Sequence, residues 1–195
     1  MTKSRGAGVT SVAQRSLSGF WLYLMTDSIL FASLFATYVV LKPGTAGGPG
    51  PEDIFQLPMI LVSTIILLTS SLTAGLALLA AKQKSFKTLI IWLAATYVLG
   101  VAFVSIEAYE FMHILAEGHS WQTSAFLSGF FVLVGTHGLH IIIGLIWLLV
   151  LLCVLVQKGL TPKVQRQLES FGLYWHFLDL IWIFIFTVVY LMGVV

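Results

Sequence analysis

The sequence contains very little charge and almost no cysteine. Only 9% of its 195 residues are Asp, Glu, Lys or Arg, against roughly a quarter in soluble proteins. The single cysteine, Cys153, excludes an internal disulfide and a cysteine-based metal site. A net charge of +2 from scattered cations does not indicate nucleic-acid binding. With 58% hydrophobic residues and a mean hydropathy of +0.99, the composition is that of an integral membrane protein.

Several catalytic and targeting patterns are also missing. The chain has no phosphate-binding glycine loop, no nucleophile elbow and no H-E-x-x-H zinc motif. We therefore expect no catalytic centre in this chain alone. The first eighteen residues carry Lys3, Arg5 and Arg15 without an apolar core, which is not the pattern of a cleaved signal peptide. The apolar run that follows is thus expected to be a retained helix.

Five apolar runs reach the roughly 20 residues that a helix needs to cross a ~30 Å hydrocarbon core. They lack the short alternating segments of a transmembrane barrel. The predicted fold is all-α: a polytopic membrane bundle of five transmembrane helices, forming one domain over residues 19–195 after an N-terminal segment, 1–18. Short connections predict that consecutive helices are antiparallel neighbours. The predicted helices are 19–41, 57–81, 88–112, 123–156 and 170–193.

The distribution of cations predicts the orientation of the bundle. Nine of the ten Lys and Arg residues lie in the N-terminal segment, the second loop and the fourth loop, and only Lys42 lies on the other side. An excess of Lys and Arg marks the cytoplasmic side of a membrane protein. We therefore expect a cytoplasmic N-terminus and a periplasmic C-terminus.

Two histidines, His137 and His140, lie in the middle of the fourth run. Their i, i+3 spacing places them on roughly the same helix face, and Gly144 lies nearby, where another helix can approach closely. One interpretation is that they are hydrogen-bonded packing groups; the other is a metal, haem or proton-relay role. Histidines three apart on one helix cannot bind opposite faces of one haem, so a further ligand such as His176 would be needed.

Three more ionisable residues are predicted in the inner half of the membrane, namely Asp27, His176 and Asp179. His176 and Asp179 share a helix face at i, i+3 and can pair directly. Asp27 can complete a buried cluster with either histidine-bearing helix. Such contacts commonly hold membrane helices together, but a proton path is the alternative because ionisable groups at this depth are usually functional.

Near the outer end of the third run, Glu107, Glu110 and His113 form an E-x-x-E-x-x-H series. The spacing is similar to that of di-iron bundles. A di-iron bundle needs carboxylates from four helices at one level, whereas the other spans supply only Asp27 and Asp179, at a different depth. We therefore interpret the two glutamates as solvated acids at a wet helix end.

Two stretches, GTHGLH at 135–140 and YWHFLD at 174–179, resemble subunit III of the haem-copper respiratory oxidases. The likeness extends over about residues 20–193, and within the family it is greatest to the cytochrome o-type ubiquinol oxidases. Four further stretches support it: FWLYLMTD at 20–27, GTAGGP at 44–49, YEF at 109–111 and TVVYLMG at 187–193.

The resemblance implies an accessory, cofactor-free subunit of a proton-pumping ubiquinol:oxygen oxidoreductase of aerobic respiration, in the bacterial cytoplasmic (inner) membrane. Subunit I would be its direct partner and would carry the haem and copper, with subunits II and IV in the same complex. In the family, a V-shaped cleft between the first two helices and the remaining bundle holds ordered phospholipid. The resemblance implies that this subunit would stabilise its catalytic neighbour, retain lipid and support proton uptake.

By position, the resemblance assigns a structural role, and no catalytic, cofactor-binding or metal-binding role, to seven intramembrane polar residues. They are Asp27, Glu107, Glu110, His137, His140, His176 and Asp179.

Three alternatives stay open. A subunit III of a short bacterial cytochrome c oxidase differs only in its neighbouring subunit II, which would carry a dinuclear copper site. A self-sufficient haem or metal membrane protein would use His137 or His140 together with His176. A transporter would require broken helices or paired internal repeats at the midplane, and the sequence shows neither clearly.

Overall fold

The computed structural model describes residues 3–47, 50 and 57–194, with side chains from residue 18 to 193 of these ranges. Every regular element within them is helical, and five helices are long and apolar enough to cross a membrane. The predicted all-α, five-span fold is therefore confirmed. The helices are α1 (Lys3–Leu41), α2 (Leu57–Lys82), α3 (Phe86–Ala116), α4 (Ala125–Lys158) and α5 (Pro162–Ile185), and α5 is continued by a π-helical segment (Phe186–Leu191) and a last turn (Met192–Val194).

Several helices extend beyond the apolar runs. α1 begins at Lys3 although its membrane span begins at Ser18, and α5 begins at Pro162 instead of residue 170. The early start of α5 has a local cause. Thr161 accepts a hydrogen bond from the Val164 N–H at 3.3 Å, and Pro162 occupies the first turn, where its missing N–H is not needed. Hydropathy thus indicates which part of a helix spans the membrane, whereas capping residues indicate where the helix begins and ends.

The order of the helices in space differs from their order in the chain. α2 packs along α3 and α5, α4 packs along α3 and α5, and α1 joins the bundle mainly through α4. In the described part of the chain, α1 does not pack extensively along α2, so the expectation that consecutive helices are neighbours is wrong for this pair. Residues 42–56, which connect them, are long enough to let the chain cross to another side of the bundle.

Trp175 of α5 fills the centre of the bundle. A Cβ atom added to Gly100 of α3 would lie 3.1 Å from its ring, and one added to Gly144 of α4 would lie 3.0 Å from it. The two glycines therefore let α3 and α4 both approach the six-membered ring of the indole closely. Close approach at Gly144 was expected from the sequence, but the identity of the group that approaches it was not.

Candidate functional site

Asp27 of α1 and His140 of α4 form the first polar contact between helices. The His140 Nε2 and Asp27 Oδ2 atoms are 3.4 Å apart, and both side chains are largely buried. His140 Nδ1 lies 2.7 Å from the Thr136 carbonyl oxygen. Because a carbonyl oxygen only accepts, Nδ1 carries a proton, and Nε2 is the nitrogen that faces the carboxyl group.

α5 joins this pair through Tyr174. Its hydroxyl donates a hydrogen bond to the His140 carbonyl oxygen at 2.8 Å, and its ring stacks on Tyr23 of α1 with centroids 6.5 Å apart. The cluster therefore connects three helices, α1, α4 and α5. The sequence predicted Asp27 and a histidine as its centre, but it did not single out the two tyrosines.

His137 has a different environment from its neighbour three residues along α4. It is completely buried, and its ring stacks on Trp182 with centroids 5.4 Å apart and an interplanar angle of 28°. Phe31 and Phe103 contribute edge contacts at 6.2 and 6.4 Å. Rings from α1, α3 and α5 thus surround the imidazole, and neither ring nitrogen has a hydrogen-bond partner within the described residues.

The second interhelical cluster joins α2 and α5. His176 Nδ1 is 2.8 Å from Ser71 Oγ and 3.7 Å from Asp179 Oδ2. Asp179 is buried, whereas the His176 side chain is 44% exposed on the outer surface of the bundle. The structure thus contains the predicted contact between His176 and Asp179. Ser71 was not predicted, because a serine on an apolar helix has no distinctive pattern by itself.

The two glutamates of α3 are not both solvated. Glu107 is only 7% exposed, and Glu110 is partly buried. The expectation of solvated acids is therefore wrong for Glu107, because α3 continues to Ala116 and keeps this residue more than two turns inside the helix end. His113 instead pairs with Glu117 on the surface, at 3.5 Å. The E-x-x-E-x-x-H series does not converge on one site.

Further interhelical hydrogen bonds that the sequence did not predict use hydroxyl groups of α2. Ser70 accepts from Trp175 Nε1 at 3.1 Å, and Thr64 accepts from Trp182 Nε1 at 3.0 Å. The Thr73 and Thr96 hydroxyl oxygens are 2.8 Å apart and join α2 to α3. The available signal was the recurrence of Ser and Thr in the middle of an otherwise apolar helix, at positions 63, 64, 69, 70, 71 and 73.

The model of the family described as cytochrome c oxidase subunit III matches residues 2–194. This chain belongs to that family. The resemblance drawn from the two histidine motifs is therefore confirmed, as is a role as subunit III of a respiratory oxidase.

Individual relatives agree with this assignment. The chain is 55% identical to the cytochrome bo(3) ubiquinol oxidase subunit 3 of Pseudomonas aeruginosa, over 90% of this chain and 84% of that protein. It is 49% identical to the cytochrome c oxidase subunit 3 of Bacillus sp. (strain PS3), over 91% and 86% of the two chains. The chain is also 42% identical to the cytochrome bo(3) ubiquinol oxidase subunit 3 of Buchnera aphidicola, over 95% of this chain and 96% of that protein.

Membership of the subunit III family fits the way in which the polar residues are used. The three intramembrane histidines enter separate sets of contacts: His140 with Asp27, His176 with Ser71, and His137 with aromatic rings. Among residues 3–47, 50 and 57–194, no group of three or more His, Cys, Asp or Glu side chains is placed to hold a metal ion. The chain is a multi-pass membrane component of a multi-subunit oxidase.

Proposed function

We propose that this chain is the non-catalytic subunit III of a proton-pumping ubiquinol oxidase of the cytochrome o type, in the bacterial cytoplasmic membrane. Subunit I, with haem and copper, is its direct partner, and subunits II and IV belong to the same complex. The observation that carries the proposal is the likeness to relatives, 55% and 52% identical, that are named ubiquinol oxidase subunits. The predicted orientation, with the N-terminus in the cytoplasm, is part of the proposal.

The proposed role of the chain is to stabilise the catalytic subunit. Its polar side chains support this role because they join its own helices to one another. Asp27 with His140 joins α1 to α4, Ser71 with His176 joins α2 to α5, and Thr73 with Thr96 joins α2 to α3. Such contacts give a rigid bundle, as a scaffold requires. The structural role of the seven predicted polar residues is proposed on the same grounds.

Co-purification tests the assignment directly. An affinity tag on this chain is expected to recover subunits I, II and IV in equal amounts. The haem absorbance of the purified sample is expected to be proportional to the amount of subunit I. Removing the chain is expected to leave the haems bound but to shorten the time over which the oxidase sustains turnover. It is also expected to slow proton uptake, measured with a pH indicator in stopped-flow experiments. Recovery of the tagged chain without oxidase subunits would overturn the proposal.

Lipid retention is supported by a groove of about 770 Å³ between α1 and α5. Its lining is almost entirely apolar and includes Ala32, Ala36 and Phe184, which suits acyl chains. Replacing Ala32 or Ala36 with Phe fills the groove, and we expect it to lower the phospholipid that co-purifies with the oxidase. Ala94→Phe, at an exposed position of α3 outside this lining, is the matched control. Unchanged lipid content in the groove variants would exclude this site.

A second candidate is subunit III of a short bacterial cytochrome c oxidase, because the relative from Bacillus sp. (strain PS3) bears that name. The two candidates differ in the neighbouring subunit II. Electron paramagnetic resonance of the purified complex distinguishes them, because a dinuclear copper signal is expected only for the cytochrome c oxidase. Absence of the signal, together with quinol-dependent oxygen consumption, supports the first candidate.

The rival from another class is a self-sufficient haem protein that uses His137 or His140 with His176. It predicts a Soret band in the purified chain that disappears in the His176→Ala variant. We expect no Soret band, because His176 contacts Ser71 and Asp179 while His137 packs against Trp182. A haem bound by the isolated chain would overturn the proposed accessory role.

A further inference from the structure

Among the surface residues of the bundle, His176 combines strong polarity with exposure at membrane depth. It lies seven residues after Glu169 on α5, which places it about 10 Å along the helix from that charge at 1.5 Å per residue. Its partner Ser71 lies about 16 Å from Lys82, at the end of α2, by the same measure. Both residues are therefore inside the ~30 Å hydrocarbon layer, although 44% of the His176 side chain is exposed.

The described residues of this chain contact only the Nδ1 side of the His176 ring. Nδ1 contacts Ser71 Oγ and faces Asp179, but Nε2 makes no hydrogen bond to the described residues. Acyl chains offer no donor or acceptor, and an unsatisfied polar group in hydrocarbon costs several kcal/mol. Nε2 of this partly exposed side chain therefore requires a polar group from outside the chain.

The surface around His176 is a groove of about 380 Å³ between α2 and α5. Ser71 and Gly75, one helical turn apart, form part of its lining, and Leu72 and Leu79 flank them. A Cβ atom added to Gly75 would meet nothing within 4 Å, so the space above this glycine belongs to the groove. Small residues four apart allow a second transmembrane helix to approach closely.

The two grooves beside α5 differ in the groups they offer. The one between α1 and α5 is lined by apolar side chains and Ser28, whose hydroxyl already donates to the Leu24 carbonyl oxygen at 2.8 Å. The one between α2 and α5 contains an imidazole with a free nitrogen together with two small residues. A lipid tail fits the first lining, whereas a helix with a polar side chain fits the second.

We propose that the α2–α5 groove binds a transmembrane helix of a neighbouring oxidase subunit, which presents a hydrogen-bonding side chain to His176 Nε2. This inference rests on the proposed role as an oxidase subunit, and it identifies one face of the chain as an intersubunit contact. Ser71 and Gly75 provide the close approach, and Asp179 orients the imidazole by facing Nδ1.

Photocross-linking within the assembled oxidase tests which molecule occupies the groove. Leu72, 64% exposed beside the groove, is replaced with p-benzoylphenylalanine, and Leu139, 56% exposed on α4, receives the same group as the control. We expect an adduct between this chain and another oxidase subunit from position 72 and none from position 139. A phospholipid adduct alone, or no adduct, from position 72 would overturn the proposal.

Two pairs of substitutions test the contact itself. Gly75→Leu fills the groove, and Gly138→Leu is the matched control, because a Cβ atom at either helical glycine meets nothing within 4 Å. In His176→Asn the side-chain amide lies near the former Nδ1 position and can still contact Ser71, but no polar atom lies at the Nε2 position. In His176→Gln the longer side chain places its amide near the Nε2 position. We expect Gly75→Leu and His176→Asn to weaken association with the complex about tenfold, which corresponds to about 1.4 kcal/mol.

Gly138→Leu and His176→Gln are expected to retain association within about twofold. Equal retention of all four variants would overturn the proposal. If the wild-type chain co-purifies with the oxidase but the groove variants behave as the controls do, the proposed function stands and the contact face is wrong. If the wild-type chain does not co-purify at all, both fail.

Discussion

Asp27 and His140 face each other across the contact between α1 and α4, with 3.4 Å between Oδ2 and Nε2. Among the five membrane-spanning helices, α1 is the least enclosed by the bundle, since only 22% of its most apolar 18-residue stretch is buried. It contacts α4 and, to a smaller extent, α5. The pair therefore contributes a directional contact to the helix that has the fewest others.

A double-mutant cycle measures this contact. We expect Asp27→Leu and His140→Leu to be coupled by about 1 kcal/mol in the free energy of unfolding, the size found for polar contacts between membrane helices. The measurement is detergent-induced unfolding of this chain in the purified oxidase. The control cycle combines Asp27→Leu with Ser105→Ala, because Ser105 is exposed and bonds only to the Val101 carbonyl oxygen of its own helix. Additive effects in the first cycle would show that the pair does not interact.

Replacement of glycine by alanine is expected to change stability in opposite directions at Gly100 and at Gly138. In Gly100→Ala, the new Cβ would lie 2.8 Å from Leu145 Cδ2 and 3.1 Å from the Trp175 ring. We expect this variant to lose about 1–3 kcal/mol of stability through overpacking. In Gly138→Ala the Cβ meets no neighbour, so the higher helix propensity of alanine is expected to add up to about 1 kcal/mol. Thermal unfolding of the two variants in the oxidase checks the sign, and equal shifts would contradict the packing at Gly100.

The Ser70 hydroxyl of α2 is expected to contribute more to stability than the exposed Thr69 hydroxyl beside it. Ser70→Ala leaves the buried Trp175 indole N–H without its acceptor, and an unsatisfied buried donor costs about 1–3 kcal/mol. Thr69→Val is the control, because Thr69 is exposed and its hydroxyl bonds to the Ile65 carbonyl oxygen of the same helix. Unfolding of the purified oxidase in detergent compares them. A control that loses as much stability as Ser70→Ala would show that the indole bond is not the cause.

The start of α4 depends on a side-chain cap. Ser124 Oγ accepts from the Leu127 N–H at 3.1 Å, and Ser124 is itself buried. We expect Ser124→Ala to lower stability by about 1 kcal/mol and Ser124→Asp to retain it, because aspartate caps helices as well as serine does. Hydrogen exchange of the amide of Leu127 measures the local effect. Unchanged protection in Ser124→Ala would indicate that the cap is dispensable.

The intramembrane histidines show which contacts an i, i+3 spacing in the sequence can predict and which it cannot. The i, i+3 spacing of His176 and Asp179 predicted a contact within one helix, and the structure contains it. The same spacing on α4 gave two different environments, because His140 faces the carboxyl group on α1 while His137 faces Trp182 on α5. Which neighbour each face meets depends on how the helices are arranged around α4, and the spacing carries no information about that.

The sequence by itself determined that the chain crosses the membrane five times and that it belongs to the subunit III family, because hydropathy, helix length and motif identity are local properties of the chain. Only the tertiary structure decided that α1 packs on α4 instead of α2, that Trp175 and Trp182 donate to α2 hydroxyls, and that Glu107 is buried. These features join residues far apart in sequence, and they depend on which helix faces come within hydrogen-bonding distance when the bundle closes.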